Sequence, residues 1–148
     1  MIRPVSPDDL PALLALQSLL PESSPPLLTT VIDGPGVVLV SVPADPAAAA
    51  NATATPVGYV LATTGSDPAH VAELVVAPAY RRQGRGRRLL AAALARLRDA
   101  GCDVAEIAVE PDNDAARDLY AEFGFEQRER VEDHYDGGGA ALLLRRSL

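Results

Sequence analysis

Arg81-Arg82-Gln83-Gly84-Arg85-Gly86-Arg87-Arg88 is the stretch on which the reading of this chain turns. An apolar run precedes it (Val71, Leu74, Val75, Val76), and Leu89-Leu90-Ala91-Ala92-Ala93-Leu94 follows. Strand, glycine turn and helix start in that order make an anion site. Glycine lets the backbone bend sharply and approach a ligand closely. The first amides of a helix have no intrahelical partner and point at whatever lies beyond the helix end. Five of the chain's thirteen basic residues fall in these eight positions, although the formal net charge is −7. A cationic cluster on an acidic protein asks for a specific anionic ligand.

Around that stretch the chain reads as one domain spanning residues 1–148, long enough for a proper core. A hydrophobic content of 48% argues against disorder. No apolar run reaches the roughly 18 residues of a membrane span, and the first residues lack a signal-peptide pattern, so a cytoplasmic location with no membrane partner is expected. Cys102, the one cysteine, excludes an internal disulfide and a cysteine metal cluster, and is expected to be a small buried residue after a helix. No metal is called for. All thirteen basic residues are arginine. With a pI near 4.7 this fits a halophile's acidic surface, whose self-repulsion is screened where the Debye length falls to about 3 Å at 1 M salt. A GC-rich genome accounts for it equally well. Either way, no lysine is available as nucleophile or base.

Strands are expected over Met1–Val5, Val37–Val42, Val57–Thr63, His70–Val76, Val104–Val109, Phe125–Val131 and Ala140–Arg145. Ser6-Pro7 reads as a helix start, with Leu10, Leu13, Leu14 and Ala15 as the apolar face and Pro21 as the stop. Leu27–Ile32, Arg87–Ala100 and Asp112–Phe123 are further helices, the last two closed by Gly101 and Gly124 at the C′ position. Pro43–Pro56 reads as a hairpin loop grown by low-complexity insertion. Strands and helices mixed in this order argue for an α+β domain rather than regular βα alternation.

Three phosphate loops compete for Arg81–Arg88. A P-loop needs a lysine, and the chain has none. A dinucleotide loop needs a third glycine and a place after the first strand, and this stretch has neither. The third is the pattern Arg/Gln-x-x-Gly-x-Gly/Ala, met by Arg81, Gly84 and Gly86. Downstream stand Asn113-x-x-Ala116-x-x-Leu119-Tyr120-x-x-x-Gly124-Phe125 and Glu132-Asp133-His134-Tyr135-Asp136-Gly137-x-x-Ala140. Taken together with Leu20-Pro21-Glu22 and Gly58-Tyr59-Val60-Leu61-Ala62, the chain resembles the GNAT superfamily of N-acetyltransferases. Within it, the chain is similar to the N-terminal protein acetyltransferases, the ribosomal-protein-alanine type included.

The resemblance implies a mixed, mostly antiparallel sheet flanked by helices and splayed where acetyl-CoA, the co-substrate, enters. It implies a pyrophosphate held by the backbone of Arg82–Arg87, with Arg81, Arg82, Gln83, Gly84, Arg85, Gly86 and Arg87 around it. It implies a pantetheine arm along Leu74, Val75 and Val76, an amide there polarising the thioester carbonyl, and a cofactor contact from Asn113, which reads equally as a helix cap. Tyr120 becomes the general acid for the departing thiolate; periodicity alone makes it a core residue. His134 and Tyr135 line a substrate groove or brace a hairpin. The base is less determined. Ala108 stands where the bacterial ribosomal enzyme has a glutamate. Glu22 matches a glutamate near the substrate amine, and Glu73 fits a base working through water. Glu106 and Glu110 also lie on or near central strands. Each glutamate, read by itself, is a solvated surface residue.

Energetics bear on the acceptor. Deprotonating an α-amine at pH 7 costs about 1.4 kcal/mol, against about 4.6 kcal/mol for a lysine. Lack of an obvious base therefore fits a protein N-terminus best. A small-molecule amine acceptor and a non-catalytic acetyl-CoA sensor are the alternatives. No aromatics interleave the arginines, which argues against nucleic acid. Either a monomer or a homodimer is compatible with the sequence.

Overall fold

A computed structural model describes residues 1–20, 25–32, 34, 36–43, 55–65, 67–134 and 138–148. Glu22 and Tyr135, and residues 44–54 of the expected hairpin loop, lie outside the described residues. Among the described residues seven strands form one sheet: β1 (Ile2–Pro4), β2 (Val37–Ser41), β3 (Gly58–Thr63), β4 (Ala69–Val76), β5 (Val104–Val109), β6 (Glu126–Val131) and β7 (Ala141–Ser147). Their spatial order is β1-β2-β3-β4-β5-β7-β6. Neighbours are antiparallel except β4 and β5, which run parallel. The element order is the one expected from the sequence, and the sheet is mostly antiparallel, as the resemblance implied.

Helix α3 (Arg85–Asp99) lies across β2, β3 and β4 on one face. Leu89, Leu90, Ala93, Leu94 and Leu97 meet Leu39, Val60, Ala62 and Val71 there, in a core that Tyr120 of α4 (Asp114–Glu122) shares. Helices α1 (Leu10–Gln17) and α2 (Pro25–Ile32) cover the opposite face of the same strands. That second core holds Leu13, Leu16, Leu28, Val31, Val38, Val40, Tyr59, Leu61 and Val75. No described helix is long and apolar enough to cross a membrane.

Several boundaries differ from the sequence reading for identifiable reasons. The first helix is divided: a 3-10 turn over Pro7–Asp9 leads into α1, which buries Leu16 and Gln17 while Ala15 is exposed. Helix α3 starts at Arg85, two residues early, because Gly84 takes a left-handed conformation (φ 75°) as its N-cap. Cys102 is half-buried rather than buried, because its place is the turn that closes α3. Its amide donates to Leu97 O at 3.1 Å and that of Gly101 to Arg98 O at 3.0 Å, a Schellman motif with Gly101 at φ 89°. Helix α4 ends the same way. Phe125 N–H donates to Tyr120 O and Gly124 N–H to Ala121 O, each at 3.0 Å. The apolar contact that accompanies such a cap is the Tyr120–Phe125 edge-to-face pair, with centroids 6.1 Å apart.

One buried charge anchors the start of the chain. Asp9 accepts from both Arg3 Nη atoms (2.7 and 2.9 Å) and from Ser6 N–H (2.8 Å). Arg3 holds the Asp9 carboxyl below the ordinary carboxylate range, against burial that would raise it. A depressed folded-state pKa stabilises above the unfolded value and stops stabilising as pH falls through the folded one. Asp9→Asn is therefore expected to cost about 1.5–3 kcal/mol at pH 7, the scale of a hydrogen bond to a charged group. Urea melts of the two proteins should converge as pH drops below the carboxylate range.

Candidate active site

Strands β4 and β5 are joined only at their beginnings, through Ala69↔Ala105, His70↔Glu106 and Val71↔Ile107. Beyond that point β4 stays with β3 (Leu74↔Val60, Val76↔Gly58) and β5 with β7 (Ala108↔Leu143, Val109↔Leu142). The two strands part, leaving a wedge whose facing backbone edges share no ladder. Backbone groups set in such a gap call for a partner. An extended ligand carrying its own amides fits that demand.

The loop Arg81–Gly84 closes the wide end. Arg82 (φ 63°) and Gly84 (φ 75°) are both left-handed, a turn that leads directly into the first amides of α3. No side chain caps those amides and no acidic residue lies in the first turn, so they remain available to an anion. Gly86 stands at the mouth of the wedge, where an added Cβ would make an ordinary contact with Val76 Cγ2 at 3.9 Å. A diphosphate fits this donor set.

The five arginines of the stretch do different things. Arg81 Nε donates to Val76 O (2.9 Å) and ties the loop to the end of β4. Arg85 turns inward to Ser41 Oγ (3.0 Å) and Val42 O (3.3 Å), with its guanidinium 5.4 Å from the centre of the Tyr80 ring. Arg88 donates to Gln83 O (3.0 Å), and Arg87 pairs with Glu122 of α4. Arg82 is exposed, with no hydrogen-bond or ion-pair partner among the described residues. The cluster thus braces its own loop as well as supplying charge.

At the narrow end, on the sheet face opposite α3, a row of ionisable residues stands in register, His70↔Glu106↔Arg145↔Glu126. His70 Nδ1 lies 3.4 Å from Glu106 Oε1, and Arg145 Nε donates to Glu106 Oε2 at 2.6 Å. The imidazole is half-exposed and the Glu106 carboxylate buried. Ala72 and Ala108 are small and exposed on the same two central strands. Glu106 is therefore no solvated residue, contrary to the sequence expectation. Nor is Glu73, whose carboxylate accepts from Gln17 Nε2 (3.1 and 3.0 Å) and Tyr59 OH (3.0 Å). Burial raises the Glu73 carboxyl above the ordinary range although both hydrogen bonds pull the other way. Burial, then the Glu73 charge, raises the Tyr59 phenol.

His70 was missed in the sequence. The available signal was an ionisable residue inside the apolar run that leads to the glycine loop. Among the expected residues, Leu74 and Val76 line the wedge, Val75 is buried in the core beneath α1 and α2, and Arg81–Arg87 form the loop. Tyr120 is buried in the α3 core, and Asn113 caps α4 through its Oδ1, which accepts from Ala116 N–H at 3.2 Å. His134 is exposed beyond β6, and Glu110 follows β5, half-buried. Among the described residues no group of three or more His, Cys, Asp or Glu could hold a metal ion.

Residues 18–125 match the model of the Acetyltransferase (GNAT) family. The chain belongs to the GNAT acetyltransferases. Solved structures share the fold over the whole length. NAA60 from Arabidopsis thaliana in complex with acetyl-CoA superposes with a TM-score of 0.83 at 19% identity, covering 100% of this chain and 98% of that one. The NatC complex bound to Gag peptide and CoA gives 0.84 at 20% identity, covering 100% and 98%. The ribosomal-protein-S18-alanine N-acetyltransferase from Escherichia coli gives 0.81 at 22% identity, covering 99% and 92%. As a GNAT enzyme the protein takes an acetyl group from acetyl-CoA and delivers it to an amine.

Proposed function

We propose that this GNAT acetyltransferase acetylates the α-amine of protein N-termini, with His70 receiving the proton from the amine. The observation that carries this reading is the half-exposed imidazole of His70, held by the buried Glu106 carboxylate where β4 and β5 part. Imidazole is the side chain whose ordinary titration lies near neutral pH. It matches an α-amine, which asks for only a modest base, better than a lysine amine. The likeness to a complex bound to a peptide and CoA and to a ribosomal-protein-S18-alanine N-acetyltransferase supports the same acceptor class.

Each group in the site has a task in this reading. The loop and the first turn of α3 hold the pyrophosphate, and Arg82 neutralises its charge. The acetyl arm lies along Leu74–Val76, and a backbone amide of β4 bonds the thioester oxygen as negative charge develops on it. The amine, passing its proton to His70, attacks the carbonyl carbon; the C–S bond then breaks and Tyr120 gives a proton to the leaving thiolate. Asn113 caps α4, the helix that carries Tyr120. Recognition of the acceptor is assigned to Glu22, His134 and Tyr135.

The test is a panel of acceptors. Peptides with free N-termini are expected to release CoA with kcat/KM at least about tenfold above the same peptides blocked at the α-amine and carrying an internal lysine, a margin below the roughly 3 kcal/mol that separates the two deprotonation costs. Release with polyamines or other small amines but with no peptide would overturn the acceptor assignment.

A further inference from the structure

Strand β4 changes faces part-way along. Ala69 and Val71 belong to the core beneath α3, whereas Val75 belongs to the core beneath α1 and α2. Two-residue alternation would keep all odd-numbered positions on one side. The reversal comes from one extra residue: Val71 pairs with Ala62 and Glu73 with Leu61, so Ala72 is a β-bulge. Glu73 is the first residue beyond it. Its carboxylate bonds Gln17 at the end of α1 and Tyr59 on β3, so three elements meet on one buried group. Losing the bulge would turn Glu73 toward the apolar core beneath α3, where an ionised carboxylate is strongly disfavoured.

The bulge also decides which amides face the wedge. Ala77 N–H donates to Val57 O, on the β3 side. Val76 O is taken by Arg81, away from β3. By alternation the backbone groups of Leu74 and Val76 face the wedge, and those of Val75 and Ala77 face β3. A register moved by one residue would present Glu73 and Val75 instead.

We propose that Glu73 is a positioning residue: bonded to Gln17 and Tyr59, it fixes the Ala72 bulge and thereby aims the Leu74 amide at the acetyl carbonyl. It is not the base, because both oxygens accept from donors in a buried site. The inference rests on the acetyl-CoA reading of the wedge but not on any choice of acceptor.

The experiment compares affinities for acetyl-CoA and for CoA, which differ only by the group the amide would hold. Glu73→Gln can still accept from Tyr59 and donate to Gln17 after a flip of the Gln17 amide. It is expected to keep the acetyl-CoA preference and turnover within about threefold of the parent. Glu73→Met, of similar length and with no acceptor, is expected to lose that preference and at least about tenfold in kcat while CoA affinity stays within about threefold, since the pyrophosphate loop is untouched. Gln17→Met attacks the same bonds from α1 and serves where Glu73→Met fails to fold; it should shift the ratio in the same direction. Equal losses in Glu73→Gln and Glu73→Met would overturn the proposal in favour of a chemical role for the charge. An unchanged ratio in folded Glu73→Met or Gln17→Met would overturn it outright. If the parent binds neither ligand, the acetyl-CoA reading fails instead.

Discussion

Replacing His70 by glutamine is expected to lower kcat by about a hundredfold or more, the lower end of what a positioned general base contributes. Glutamine keeps a polar group of similar reach facing Glu106 but cannot accept a proton from an ammonium. Acetyl-CoA affinity should not change, because His70 sits on the opposite side of the sheet from α3, whose first turn is the proposed phosphate site. Glu106→Gln is the companion measurement. Glu106 does not reach the substrate in this scheme; it orients the ring and favours the imidazolium that forms, as a buried carboxylate does behind a catalytic histidine. A smaller loss in kcat is expected there. If His70→Gln turned over at the parental rate with peptide acceptors, the proton would have to leave by another route. Glu22 would then be the first alternative.

Much of the frame that positions these groups could be read from residue order. The change from alternation in β4 to the period of α3 placed the loop. Gly101 and Gly124 stopped their helices as expected, and the Leu-Tyr-x-x-x-Gly-Phe run proved to be a C-cap whose apolar contact is Tyr120 on Phe125. What the sequence hid was mostly register. His70 and Glu106 lie 36 residues apart on parallel strands, and nothing local dictates that they face each other. The Ala72 bulge leaves no compositional mark, since Ala-Glu-Leu continues an alternating pattern in either register. Read by itself Glu73 is a surface carboxylate; the bulge turns it away from the α3 core and it is buried beneath α1. Gln17 was overlooked for a related reason. A polar residue at a helix end suggests solvent, and only its partner on β4 explains why it is buried. Chemistry that depends on pairing across the sheet is therefore the part that sequence pattern leaves open.

Tyr120→Phe is expected to lower kcat by about a hundredfold while leaving the fold in place, if its hydroxyl protonates the leaving thiolate. The argument depends on separating the ring from the oxygen. The ring is buried in the α3 core and packs edge-on against Phe125 at the cap of α4. Phenylalanine preserves that pair, so the stability cost should be limited to about 1 kcal/mol for the hydroxyl's own interactions. Phe125→Ala does the reverse: it keeps the hydroxyl and removes the ring that seats Tyr120, at a cost of about 3–5 kcal/mol in stability. A thiol is ordinarily the stronger acid, near 8.5 against about 10 for a phenol, so the proton moves to sulfur as the C–S bond breaks and thiolate charge builds. Tyr120→Phe should thus be rescued by a thioester donor with a more acidic thiol, whose leaving group needs no proton. Acetyl-CoA affinity and the KM for the acceptor should be unaffected. Parental turnover in Tyr120→Phe with acetyl-CoA would reduce Tyr120 to the core residue that its periodicity alone describes.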